Sequence, residues 1–175
     1  MGLRDYSTQE RLNKMTVDII DKSVTLSDGV AYTADDLFFQ PVAVEVSQVN
    51  GQAVIIQSVA VIGETTGGNE TGDFDIIICD NNPTLIQTGP STLVANEAMS
   101  TNVAAHQYMK VVSGIINITN MIDVGDTAVI GSADNVGIVA KPASTSKSIY
   151  IFGIARSTDT WASPSMTIRL GIVRD

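Results

Sequence analysis

Residues 41–63, PVAVEVSQVNGQAVIIQSVAVIG, decide the fold. Val42, Val44 and Val46 alternate with Ala43, Glu45 and Ser47, the two-residue period of a strand with one buried face. Asn50 and Gly51 then supply a tight-turn signal. Beyond the turn, residues 53–62 are almost continuously apolar, as expected of a strand in the core of a sandwich.

The same grammar continues towards the C-terminus. The polar, glycine-rich stretch 63–72 reads as a surface loop. Residues 73–79 read as a strand closed by Asp80, Asn81, Asn82 and Pro83, a strong turn sequence. Residues 84–109 form a long, poorly patterned excursion in which 92–99 fits a short helix. Further strands are expected at 111–119, 128–130, 136–140, 148–156 and 165–173, each bounded by Gly, Pro, Asp, Asn or Ser. About eight to ten strands with recurrent turns predict an all-β fold, a β-sandwich of jelly-roll-like form. No helical stretch of crossover length separates the strands, which argues against a parallel α/β sheet, and no short repeat suggests a propeller or solenoid.

Upstream of the deciding stretch the pattern changes. Thr33 before Ala34, Asp35 and Asp36 resembles a helix N-cap with an acidic first turn, so one helical turn is expected before Pro41. Residues 1–30 read as an extended N-terminal arm ahead of a body spanning 31–175. Residues 3–14 are polar and charged, and two short strand-like pieces follow at 15–20 and 24–26. An ordinary first strand with a frayed start is the alternative reading.

Composition agrees with a folded β domain. A hydrophobic fraction of 44% excludes a disordered chain, and the apolar residues are mostly Val and Ile, whose branched side chains suit a pleated surface. A chain of 175 residues can bury a sizeable core without disulfides or metals. Residues 1–10 lack the apolar core of a signal peptide, and no stretch reaches membrane-span length. Gly2 follows Met1, but Tyr6 stands where a myristoylation motif wants Ser or Thr. A soluble protein made in a cytoplasm is therefore expected.

The net charge is −9, and it is unevenly spread. Residues 23–109 contain ten acidic side chains and no Lys or Arg. Phosphate backbones are bound by clustered Lys and Arg, so nucleic acid is not an expected partner. The acidic stretch reads either as a solvated face or as a surface matched to a basic partner.

A search for chemistry finds little. His106 is the one histidine, and no nucleophile elbow surrounds any serine. Cys79 is the one cysteine, so an intramolecular disulfide and a cysteine metal site are excluded. Its place after Ile76, Ile77 and Ile78 predicts a buried, inert thiol, a poor partner for His106. The glycines at 63–68 lack the Lys and Ser/Thr of a phosphate-binding loop.

Asp73 and Asp75 share one strand face and Asp80 follows. At about 3.3 Å per residue, however, Asp75 and Asp80 lie roughly 15 Å apart, too far to share a cation. Trp161, Tyr32, Phe38, Phe39 and Tyr108 fall outside the clear strands; such aromatics act as end plugs, subunit contacts or sugar platforms. No catalytic, cofactor-binding or metal-ligating residue is assigned, and the chain is not expected to be an enzyme.

Three segments together resemble small β-rich proteins of tailed bacteriophage virions: the entry at 31–36 (AYTADD), the strand-to-turn passage at 78–84 (ICDNNPT) and the terminal strand at 167–175 (TIRLGIVRD). The similarity is to capsid decoration, or cement, proteins and covers about residues 31–175. It implies a non-enzymatic virion protein on the outer capsid surface, made in the bacterial host cytoplasm. It also implies the major capsid protein as partner and a homo-oligomer, with a trimer favoured; no membrane or nucleic-acid contact is implied. The 30-residue N-terminal part departs from that pattern. A tail- or surface-associated module binding carbohydrate or a receptor is the alternative, with Trp161 as its candidate platform.

Overall fold

A computed structural model of the chain describes residues 15–27, 30–64, 72–83, 94–99, 109–119, 121–125, 128–161 and 164–174. Among these the strands are β1 (Thr16–Thr25), β2 (Val30–Tyr32), β3 (Leu37–Glu45), β4 (Val54–Glu64), β5 (Phe74–Cys79), β6 (Val112–Ile118), β7 (Ile122–Asp123), β8 (Ala128–Ala140), β9 (Ser148–Ala155), β10 (Asp159–Trp161) and β11 (Ser165–Arg174). A single 3-10 turn, Met109–Val111, precedes β6.

Strand pairing defines the architecture. One sheet has the order β1-β11-β4-β8-β7, a second the order β3-β9-β5-β6, and β10 pairs with β2 in a small third ladder. All pairings are antiparallel. Five of them are nested in sequence: β1 with β11, β2 with β10, β3 with β9, β4 with β8, and β5 with β6. The chain is thus one long antiparallel ribbon folded back at β5 and β6. Rolling that ribbon adds the contacts β11 to β4 and β9 to β5 and separates it into two sheets. This is a jelly roll, so the all-β sandwich expected from the sequence is present, and its strand order is now fixed.

Alternating side chains fill the space between the sheets. Met166, Ile168, Leu170 and Ile172 of β11 point inward, as do Val54, Ile56, Val59 and Val61 of β4. The inward positions of β4 change parity between Ile56 and Val59. A bulge permits this: the register slips between Ile56 and Ser58, leaving one residue of β4 opposite Asn135, Val136 and Gly137 of β8. Asn135 and Gly137 take positive φ values of 56° and 63°, which Asn and Gly tolerate best.

The outer faces of the two sheets differ. All six residues of β5 are buried, because a second cluster of Leu37, Ile77, Cys79, Met99, Phe152 and Ile154 covers the outside of the four-stranded sheet. The segment 94–99 carries Met99 into that cluster. It is fastened to the start of β3 by Leu37 N–H donating to the Glu97 carbonyl (2.8 Å), Asn96 N–H to Leu37 (2.7 Å) and Met99 N–H to Asp35 (2.8 Å). No such cover lies on the five-stranded sheet among the described residues.

Four expectations are corrected. Residues 33–36 form a turn in place of a helical one: Thr33 donates from its backbone N–H (2.7 Å) and its hydroxyl (2.9 Å) to the Asp36 carboxylate, and Asp35 has φ +73°. Pro41 ends nothing, because it sits inside β3, an edge strand, where the register slips between Phe39 and Val42. Residues 94–98 turn and bridge to Asp36, so the helix expected over 92–99 is not formed across 94–98, and only Met99 of the described part is helical. The pieces 128–130 and 136–140 are one strand, the bulge having looked like an interruption.

Part of the stretch read as an N-terminal arm lies in the larger sheet. Residues 16–25 form one continuous strand paired along β11, and Val24 and Leu26 belong to the core. The polar break read at 21–23 is part of that edge strand: Asp21 and Ser23 lie on its solvent side, where Asp21 meets Arg169, and Lys22 lies on the other face. Residues 1–14 of the expected arm lie outside the described residues.

Candidate functional site

The aromatic, thiol and carboxylate side chains taken up below, among the described residues, are occupied structurally. Trp161 stands in β10, not in a loop, and is 2% exposed. Its ring lies edge-on to Phe38 (centroids 5.2 Å) and Phe74 (6.2 Å). Phe38 in turn packs on Phe74 (4.5 Å) and Tyr32 (5.0 Å). The Tyr32 hydroxyl donates to the Phe38 carbonyl (3.2 Å) and accepts from Ser27 N–H (2.7 Å), so the one polar atom of this aromatic group is satisfied. Burial pushes the Tyr32 phenol pKa upward. These rings plug the core. The sugar-platform reading of Trp161 needs an exposed indole, and burial removes it.

Cys79 is fully buried within the second cluster. Desolvation, with the nearby Asp80 charge second, pushes its thiol up to about 12. A thiol held protonated that far above neutrality is a poor nucleophile. His106 and Tyr108 lie outside the described residues, as do positions 65–71 of the glycine-rich loop.

The carboxylates serve as latches. Asp75 is 3% exposed and accepts from Arg156 Nε and Asn117 Nδ2. Arg156 also donates from Nη1 to Asp35 (2.7 Å), linking the end of β9 to the turn before β3. Asp80 accepts from the Lys141 backbone N–H (2.8 Å) and from the Ser113 hydroxyl, tying the turn after β5 to β6 and to the end of β8. Asp73 bonds through its backbone, donating to the Ser157 hydroxyl (2.8 Å) and accepting from Arg156 N–H (2.8 Å). Asp75 and Asp80 thus work at separate latches. Among the described residues no group of three His, Cys, Asp or Glu side chains is placed to hold a metal ion, and no helix is long and apolar enough to cross a membrane.

The feature that single-strand reading missed is the outer face of the five-stranded sheet. Register aligns Val17 of β1, Val173 of β11, Ile55 of β4 and Val139 of β8 in one row. A second row joins Ser23, Thr167, Ile62, Ile130 and Ile122. Val17 is 73% exposed, Ile19 69%, Val139 61% and Ile122 61%. Between the rows, Arg169 donates from Nε (2.7 Å) and Nη2 (2.8 Å) to the two oxygens of Asp21. That pairing lowers the Asp21 pKa, chiefly through the hydrogen bond. The signal was present in β4, whose apolar run shows no polar side; it was read only as a core strand.

No family model and no curated protein matches the chain. A solved structure of Desmodium yellow mottle tymovirus has 13% sequence identity, covers 93% of this chain and 88% of that chain, and has a TM-score of 0.27. Similarity that low carries no argument about this molecule. The class therefore rests on topology: a two-sheet jelly roll, an architecture shared by viral capsid, lectin and cupin domains.

Proposed function

We propose that the chain is a non-enzymatic virion structural protein, a capsid decoration or cement protein that stabilises a shell through contacts between subunits. The observation that carries this reading is the contrast between a filled interior and an open apolar face. Cupin-type chemistry uses the inside of the roll, and here that space is packed with aliphatic and aromatic side chains. The carboxylates of Asp21, Asp35, Asp75 and Asp80 are paired, and the thiol is buried. What remains available is surface: a flat face of Val, Ile, Ser and Thr, suited to contact with another macromolecule. Fold alone does not assign function, so the virion assignment leans on the resemblance of residues 31–36, 78–84 and 167–175 to phage decoration proteins.

In this reading the partner is the major capsid protein, the location is the outer capsid surface, and the protein acts as a homo-oligomer. The test is co-sedimentation of the purified chain with capsid shells assembled without it, followed by thermal disruption of the loaded shells. Saturable binding that raises the disruption temperature is expected. Shells that neither retain the chain nor gain stability would refute the proposal.

A further inference from the structure

We infer that the outer face of the five-stranded sheet is the contact surface for a second copy of this chain, packed sheet against sheet about a two-fold axis. This inference does not depend on the capsid assignment.

Among the described residues the sandwich covers only one of its two outer faces. Met99 of segment 94–99 packs with Leu37, Ile77, Cys79, Phe152 and Ile154 on the outside of the four-stranded sheet, whereas the outside of the five-stranded sheet keeps Val17, Ile19, Val139 and Ile122 more than half exposed. β-branched side chains have few rotamers to lose, so burying them costs little conformational entropy. Their arrangement in rows across neighbouring strands is what an inner sandwich face looks like, and such faces interdigitate about 10 Å apart.

Size agrees with this occupant. Four strands of 10, 10, 11 and 13 residues and the two-residue β7, about 4.8 Å apart and rising about 3.3 Å per residue, together span about 700 Å². A specific protein–protein contact buries about 800 Å² on each partner. Charge agrees as well. Two copies, each at −9, repel through most of their surface. On this face Asp21 and Arg169 cancel, leaving Asp134 at the bulge among the described side chains. A second copy therefore meets little net charge here.

Edge-to-edge addition through β1 is the competing mode. Asp18 and Lys22 occupy the inward-facing side of that edge strand, a placement that discourages a further strand. Asp18 is moreover held by Arg174 (Nε to Oδ2, 2.7 Å). A face-to-face contact is isologous and gives even-numbered assemblies, in contrast to the trimer that the phage resemblance implies.

Sedimentation equilibrium of the full chain tests the inference. A dimer, or an even multiple, is expected. Val17→Glu combined with Val139→Glu should weaken self-association by about tenfold or more, because four carboxylates would be buried per dimer. Ile115→Glu, on the opposite sheet at a position 54% exposed, should leave association unchanged. If circular dichroism shows the double variant unfolded, Ile19→Ser carries the same test. A monomer at all concentrations, an odd-numbered oligomer, or an association indifferent to these face variants would overturn the inference.

Discussion

Replacing Trp161 by Ala separates a core plug from a binding platform. The indole is 2% exposed and touches Phe38 and Phe74 edge-on. A buried Trp removes about 200 Å² from water, which at about 25 cal/mol per Å² is worth roughly 5 kcal/mol. Measured losses for truncating buried aromatics to Ala fall at about 3–5 kcal/mol, cavity included. A loss of about 4 kcal/mol is therefore expected, a large share of the ~5–15 kcal/mol that holds a typical domain together. With a urea slope of about 2 kcal/mol per molar, the unfolding midpoint should fall by about 2 M. Trp161 is the one tryptophan, so its fluorescence should be blue-shifted in the native protein, and the variant must be followed by far-UV circular dichroism. A loss below about 1 kcal/mol, or native emission at the wavelength of a solvated indole, would refute the plug and reopen the platform.

Other expectations follow from the same packing. Asp75→Ala removes the partner of Arg156 Nε and Asn117 Nδ2; a cost of about 1–3 kcal/mol is expected by urea titration, and a double-mutant cycle with Arg156→Ala should show the two losses to be non-additive. Gly153→Ala would place a methyl group 2.5 Å from Phe39 Cδ1 and Cε1, so a loss of about 1–3 kcal/mol is expected, with Phe39→Leu in the same chain recovering part of it. Cys79 should resist thiol reagents at pH 8 in the native state and react on unfolding. Because the folded thiol is raised from 9.0 to about 12, the unfolded chain loses its proton first; the associated stability is intact below pH 9 and declines from there towards pH 12. Cys79→Ala should make that alkaline decline shallower, leaving the part that the raised Tyr32 phenol contributes above its ordinary value of 10.0.

Strands were legible wherever one rule governed a whole segment. β11 and β9 were bracketed to within a residue or so because turn residues bound an alternating run in β11 and a nearly continuous apolar run in β9. The two inserts that misled were local: the polar triplet 21–23 sits in an edge strand that tolerates Lys22 on its half-buried face, and the Asn135–Gly137 bulge breaks alternation without breaking the strand. Thr33 and Asp36 satisfy helix-capping preferences equally well in a side-chain-closed turn, so composition alone could not separate the two. Pairing order stayed hidden, since period-two patterning records burial but not the neighbour. The candidate contact face was hidden for that reason as well: Val17, Val173, Ile55 and Val139 are far apart in sequence, and only register places them in a row.

The nesting of strand pairs has a consequence for synthesis. β11 lies between β1 and β4, so β1 has no sheet neighbour until β11 has been made. Until then Val24 and Leu26 lack the cover that β11 brings, and the gap beside β4 stays unfilled. Closure of the larger sheet is thereby gated by the longest-range strand pairing among the described residues, and such contacts are the slowest to form.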